Sequence, residues 1–302
     1  MTIAVQGVDL APATPARGIL MALAAFALFT GLDATIKVLG GHYHVVQVAC
    51  FNSLFALVAV VAIAIARGRR LQLWPRHWRL HLARWSCSYL ATLAIFWSYP
   101  RLPLAQAYAI LFVSPLLVTA LSVLVLGEPV GWRRWAAVLA GFAGVLVVLD
   151  PGHDRIDWPA LVTLAGATGH AFNLLFIRKI AVRGEPVEAT GVAGNGLTLL
   201  ASVFLLPFVW VAPTPHDLAL SAAAGLTAGT AFLLLTSAFR SAPAALVASY
   251  QYSQMIYGLA VGWLLFGDLP TARMLLGASI IVAGGLYVLR HETRAGRATR
   301  VA

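Results

Sequence analysis

Ten apolar runs follow one another along the chain, at about 17–39, 45–66, 78–99, 103–126, 132–149, 158–180, 188–211, 217–239, 243–266 and 271–290. About 20 consecutive apolar residues cross a bilayer as a helix. Runs such as Leu54 to Ala66 are apolar throughout, whereas the strand of a lipid-facing β-barrel alternates apolar and polar positions. The pattern therefore predicts an all-α integral membrane protein of ten transmembrane helices. Its separators are short polar turns, among them Tyr99-Pro100-Arg101-Leu102-Pro103, Gly127-Glu128-Pro129-Val130-Gly131 and Phe266-Gly267-Asp268-Leu269-Pro270. Proline resists continuing a helix, so these read as tight reversals.

Composition agrees: 60% of the 302 residues are hydrophobic and 11% charged, with a mean hydropathy of +0.84. A globular domain carries about 25% charged residues, so a water-soluble enzyme is excluded. The formal charge of +10 is scattered between apolar spans, with no folded basic module to present to nucleic acid. It serves instead as a topology signal. With the N-terminus inside, one face of the membrane collects seventeen of the 21 basic residues, including Arg67, Arg69, Arg70, Arg76, Arg79, Arg84, Arg133, Arg134 and Arg240. The other face holds Lys37, Arg101, Arg155 and Arg273. Basic loops stay cytoplasmic, which predicts two cytoplasmic termini and an even number of spans. The first 16 residues have no basic cluster ahead of a short apolar core, so no cleaved signal peptide is expected. Cys50 and Cys87 lie within apolar spans and read as small packing residues rather than disulfide or metal ligands. No phosphate-cradling Gly-rich motif is present, so neither ATP nor any other cofactor is expected.

The chain also repeats itself. An offset of 140 aligns Pro103 with Pro243, Ala105 with Ala245, Gly127 with Gly267, Glu128 with Asp268, Arg133 with Arg273 and Ala143-Gly144 with Ala283-Gly284. Shared Leu and Ala follow from composition, but aligned Pro, Gly, acid and Arg positions do not. The expected organisation is a short tail (1–16), two five-helix repeats (17–150 and 151–290) and a second tail (291–302), both tails cytoplasmic. Because five is odd, the second repeat enters from the opposite side. Such inverted pairs support two access states around a midplane site.

The ten spans, the duplication and the acid-bearing turns Leu126-Gly127-Glu128-Pro129 and Phe266-Gly267-Asp268-Leu269-Pro270 resemble the EamA-type branch of the drug/metabolite transporter superfamily. The overall pattern is similar to bacterial exporters of amino acids, including aromatic ones. The resemblance implies a bacterial inner-membrane protein, acting as a monomer or homodimer, that exports a small metabolite. It also implies a central cavity lined by the first four helices of each repeat, with the fifth and tenth at the periphery.

Polar groups inside a lipid-embedded helix are costly and so mark candidate sites. On the ninth span Tyr250, Gln254 and Tyr257 follow i, i+4, i+7 and form one stripe, suited to stacking and hydrogen bonding with an amino acid or to clamping neighbouring helices. The sixth span sets Gly166, His170 and Asn173 on one face, with His170 a candidate for proton coupling. Asp33 and Lys37, at i and i+4, are expected to form a structural ion pair, while an unpaired Asp33 would favour proton exchange or a cationic substrate. Tyr108 and Phe112 form a further i, i+4 pair, with Gln106 and Ser114 nearby and Pro115 able to free a backbone carbonyl, a set suited either to lining the cavity or to kinking the helix. Trp97 and Tyr99 lie near the outer interface, where aromatic belts occur without any substrate. Asn52 and Asn195 sit inside the second and seventh spans, where each can hydrogen-bond a neighbouring helix, and Glu128 and Asp268, with Arg133 and Arg273 close behind, read as fastening helix ends through caps and ion pairs. No set of His, Cys and carboxylates has zinc-ligand spacing. The expectation is a secondary transporter; a membrane-embedded enzyme lacks a convergent nucleophile or metal motif, and a passive pore lacks a filter pattern.

Overall fold

The computed structural model describes residues 15–66, 68, 74–126, 131–149, 157–181, 183–241, 247 and 250–301. Among these residues every regular element is helical. The helices are α1 (Pro15–Leu39), α2 (Val45–Ala66), α3 (Trp78–Ser98), α4 (Leu104–Leu111), α5 (Ser114–Leu126), α6 (Trp132–Leu149), α7 (Trp158–Ala181), α8 (Val187–Leu205), α9 (Pro215–Ser241), α10 (Ser253–Phe266) and α11 (Ala272–Val301). Short 3-10 turns cover Tyr99–Arg101, Leu206–Phe208 and Tyr250–Tyr252.

These segments match the predicted spans with three differences. The fourth span is two helices, α4 and α5, because Pro115 has no N–H to continue the ladder. There the Val113 amide donates to Ile110 O at 3.1 Å, a tightened turn, before regular bonding resumes from Leu117 to Val113 O at 2.9 Å. Within the ninth span Tyr250–Tyr252 form a 3-10 turn directly before α10. The tail expected after residue 290 continues α11 to Val301, since Arg, Glu and Ala favour helix. Among the described residues six segments are long and apolar enough to cross a membrane outright, including Ala16–Leu39, Val45–Ala66 and Leu104–Val123. The apolar parts of α6 and α11 are shorter, Val138–Leu149 and Ala272–Tyr287. Large exposed side chains such as Leu200, Phe204, Phe208 and Trp132 suit a lipid surround.

Small residues bring the helices together, as they do where lipid supplies no hydrophobic drive between helices. On α9, a Cβ at Gly225 would meet Asn52 O at 2.7 Å and one at Gly229 would meet Ala59 Cβ at 2.6 Å, so α2 and α9 touch backbone to backbone. Gly166 and Gly169 of α7 lie as closely on Ala91, Ile95 and Cys87 O of α3. Gly144 and Gly277 bring α6 onto α11. The main pairings are α1 with α9, α3 with α7, α6 with α11, α2 with α8 and α9, α5 with α7, and α4 with α10.

The turns gather at two ends. At the upper end Lys37 reaches Leu102 O and Asp268, Tyr43 reaches Asp217, Gln106 reaches Asp157, and the Gln47 amide exchanges bonds with the Val211 backbone at 2.6 and 2.9 Å. At the lower end the start of α3 is tied to the turn before α8, where Glu185 takes His77 Nδ1 at 2.7 Å and the Arg76 amide.

Candidate functional site

Asp33 sits on α1 two turns below the upper end and is 9% exposed. A charged acid at such a position costs about 3 kcal/mol, so its partners matter. The Tyr108 hydroxyl of α4 donates to Asp33 Oδ2 at 2.8 Å, and the Tyr99 hydroxyl also faces it. Tyr108 is held close because Gly258 of α10 leaves room for its ring. From there a row of rings runs through the bundle. Phe96 stacks with Tyr99 at 6.5 Å, Tyr99 meets Tyr108 edge-on at 6.4 Å, Tyr108 stacks with Phe112 at 6.3 Å, and Phe112 meets Tyr252 edge-on at 5.2 Å. Tyr108 and Phe112 are 2% and 1% exposed. A cavity of about 100 Å³ at the upper end, walled by Tyr43, Val48, Phe96, Trp97 and Arg101, abuts the first ring of this row.

The expected Asp33–Lys37 pair is replaced by two separate interactions. Lys37 Nζ lies 2.8 Å from Asp268 Oδ2, donates to Leu102 O at 2.8 Å and stands 4.7 Å from the Phe266 ring centre. The flexible lysine stem extends beyond its own helix to the α10–α11 turn. That turn is shaped by Gly267, whose φ of 69° is the left-handed cap that glycine adopts without strain. Asp268 is thus a partner of α1 rather than a simple helix cap, and Asp33 is left to Tyr108.

Tyr99, expected in an interfacial belt, is buried against Tyr108 because the 3-10 turn directs it into the bundle. Trp97 does lie near the upper surface, where the Arg101 guanidinium stacks 4.0 Å from its ring. The Tyr250, Gln254, Tyr257 stripe is broken by the 3-10 turn, yet Tyr250 and Tyr257 both pack on a cluster of Ala22, Phe26, Ala238 and Val247. Gln254 is half-buried. Asn52 Oδ1 is buried without a hydrogen-bond partner, and Asn195 Nδ2 bonds Gly191 O within its own helix at 3.0 Å. Glu128 lies outside the described residues.

On α7, Gly166 and Asn173 face α3, while His170 is half-buried and makes no hydrogen bond among the described residues. Asn173 Oδ1 accepts from Arg84 Nη1 at 3.2 Å. Arg84, counted in the sequence with the cytoplasmic basic residues, is instead inside α3, 6% exposed, with Nη2 donating to Thr190 O of α8 at 3.1 Å. Above it Trp85 stacks on Tyr89 at 5.4 Å; Trp85 Nε1 donates to Thr198 Oγ1, and the Tyr89 hydroxyl lies 3.2 Å from Ser202 Oγ. Side chains thus separate α3 from α8, whereas glycines close α2 on α9. Sequence reasoning missed Arg84, Trp85, Tyr89 and Tyr252. The i, i+4 spacing of Trp85 and Tyr89 was the available signal for the first aromatic pair.

Apolar helices closing around a buried acid, a buried guanidinium and a row of rings define a multi-pass membrane protein with polar groups in its interior. The chain matches the EamA-like transporter family over residues 16–150 and 157–290. It belongs to that family. It is 31% identical to a riboflavin transporter of Rhizobium johnstonii, over 82% of this chain and 80% of the relative. It is 24% identical to an S-adenosylmethionine uptake transporter of Rickettsia bellii, over 87% of this chain and 90% of the relative. A pseudopaline exporter of Pseudomonas aeruginosa is 24% identical over 90% of this chain and 96% of its own length. One solved crystal structure shares the fold, with a TM-score of 0.63 at 19% identity over 93% of this chain and 99% of its own.

Proposed function

We propose that this EamA-family protein is a secondary transporter that moves small organic metabolites, amino acids including aromatic ones foremost, across the bacterial inner membrane by alternating access. The observation that carries the reading is the Asp33–Tyr108 hydrogen bond at the middle of a row of five rings. An ammonium group would replace the tyrosine proton at Asp33, and the rings would stack on a flat apolar part. Asp33 carries proton coupling better than His170, because its carboxylate is bonded across two helices that a rocking motion separates.

The two halves are read as inverted repeats. In support, several pairings are preserved when the halves are exchanged: α1 on α9 becomes α7 on α3, and α6 on α11 and α4 on α10 map onto themselves, while the tight α2–α9 seam has a looser counterpart between α8 and α3. Phe112 and Tyr252, 140 positions apart, touch each other. The upper end is then periplasmic and the lower end, with both termini, cytoplasmic. Export is the direction implied by the resemblance. The relatives are named for uptake as well as export, in keeping with a carrier whose net flux follows its gradients.

Riboflavin is a second candidate substrate, favoured by the row of rings and by the riboflavin-transporter relative. The test is uptake into liposomes of labelled amino acids, riboflavin and S-adenosylmethionine, with and without a pH gradient. Saturable uptake of a member that aromatic amino acids compete supports the reading. Flux that neither saturates nor is competed overturns it.

A further inference from the structure

We infer that Arg84 is the anion anchor of a second subsite, between α3, α7 and α8, that receives the carboxylate or phosphate oxygens of the transported metabolite. Four features point there. Arg84 is 6% exposed in the interior of a membrane helix, and among the described residues it pairs with no carboxylate. A buried cation without a counter-ion is costly, and such groups in membrane helices mark substrate paths. Its neutral partners, Asn173 Oδ1 at 3.2 Å and Thr190 O at 3.1 Å, hold the two ends of the fork, while the buried Nε–H has no acceptor. The guanidinium therefore retains donor capacity of the planar kind that binds an oxyanion through two parallel bonds.

The surroundings keep that fork in place. Trp85 and Tyr89 reach from α3 to Thr198 and Ser202 of α8, and Gly194 lets the guanidinium pack directly on α8, where a Cβ would come within 2.6 Å of Nη2. His81, one turn closer to the lower end and fully buried, leaves Nδ1 without a partner among the described residues, while Nε2 stands 3.4 Å from Glu185 Oε1. This is polar space without its full complement of partners. Under the 140-residue offset Asn173 corresponds to Asp33. The two halves thus place an acid at one position and, at the other, an amide that orients a cation.

The inference rests on the transporter reading, but its test does not require transport. The full-length protein in lipid-free detergent is titrated with two matched pairs, indole-3-acetate against indole-3-ethanol and riboflavin 5′-phosphate against riboflavin, and thermal unfolding is followed. In the wild type the anion of at least one pair is expected to bind about tenfold more tightly than its neutral partner. Arg84→Gln should reduce that preference below about twofold, and Arg84→Lys should retain a weaker one, since a lysine keeps the charge but loses the fork. Gly194→Ala, which crowds the guanidinium without removing it, should also weaken the preference and serves if Arg84→Gln does not fold. Absence of an anion preference in the wild type, or a preference that survives both Arg84→Gln and Gly194→Ala, overturns the inference. Arg84-dependent stabilisation by short-chain phosphatidylglycerol alone would assign the oxyanion to a lipid and overturn it as well. Failure of uptake in liposomes would instead count against the transporter reading.

Discussion

Lys37 and Asp268 stand 231 residues apart in sequence and 2.8 Å apart in space. Their bond fastens the end of α1 to the turn between α10 and α11, and so joins the first half of the chain to the second. With the Tyr43–Asp217 and Gln47–Val211 bonds it closes the upper end of the bundle. Lys37→Ala and Asp268→Ala should each open that end, raising labelling of a cysteine introduced at Val48 by a membrane-impermeant thiol reagent several-fold over the same cysteine in the wild-type background. The exchange Lys37→Asp with Asp268→Lys should bring labelling back toward the starting level. Coupling between the two changes is the quantity a double-mutant cycle isolates.

At Asp33 the charge and the hydrogen bond make separable contributions. Asp33→Asn should reduce saturable uptake at least tenfold and remove its response to a pH gradient, with the protein still eluting as a folded species. Tyr108→Phe should retain the pH-gradient response, because it removes one hydrogen bond to the carboxylate and leaves the titratable group in place. Initial rates measured across a range of external pH compare the two variants directly.

His170 offers a contrast. His170→Gln is expected to leave the pH-gradient response of uptake intact, since the imidazole makes no hydrogen bond that links helices. Loss of that response would transfer the coupling role from Asp33 to His170.

The glycines of α9 predict stability rather than transport. Gly229→Val should lower the unfolding midpoint and the yield, because its Cβ would fall 2.6 Å from Ala59 Cβ and 2.9 Å from Ala56 O. Overpacking of this kind costs about 1–3 kcal/mol. Gly196→Ala, where nothing lies within 4 Å, is the matched control and should be neutral or slightly stabilising. Thermal unfolding of the three proteins in one detergent makes the comparison.

The lower end carries a pH signature in Glu185. Burial would raise its pKa, but hydrogen bonds from His77, the Arg76 amide and His81 outweigh that effect and hold it below the ordinary value of 4.5. A carboxylate depressed in the folded state stabilises the protein above its unfolded pKa, and that contribution fades as pH falls through the folded pKa. Stability measured from pH 7 downward should therefore fall below about pH 4.5 in the wild type. Glu185→Gln should be less stable at neutral pH and should lose part of that acid limb.

Much of the architecture was legible because lipid imposes a simple rule: long apolar runs become helices, and proline marks their interruptions. Pro115 illustrates this, since the break between α4 and α5 falls where its missing N–H requires it. The partners of charged residues were less legible. Asp33 and Lys37 have the spacing of an ion pair along one helix, but a lysine stem at a helix end can reach a neighbouring turn, and nothing local to α1 identifies Asp268. Arg84 was counted with the cytoplasmic face, although it falls inside the 78–99 run, because counting basic residues treats each arginine near the end of a run as an anchor. Its burial depends on Asn173 and Thr190, which are distant in sequence. Tyr252 fell outside the expected stripe because that stripe assumed an α-helix where the chain makes a 3-10 turn.

The contrast between the two interhelical seams bears on how the protein could change its diet. Where α2 meets α9, backbone lies on backbone, and almost any enlargement of a side chain collides. Where α3 meets α8, Arg84, Trp85 and Tyr89 span the distance to Thr190, Thr198 and Ser202, so side chains can be exchanged without moving a helix axis. Selection for a new cargo should therefore collect its substitutions along α3 and α8 and leave the Ala56–Gly225 seam untouched. A library confined to that single face would vary the cargo's anionic end while leaving Asp33 and its rings unchanged.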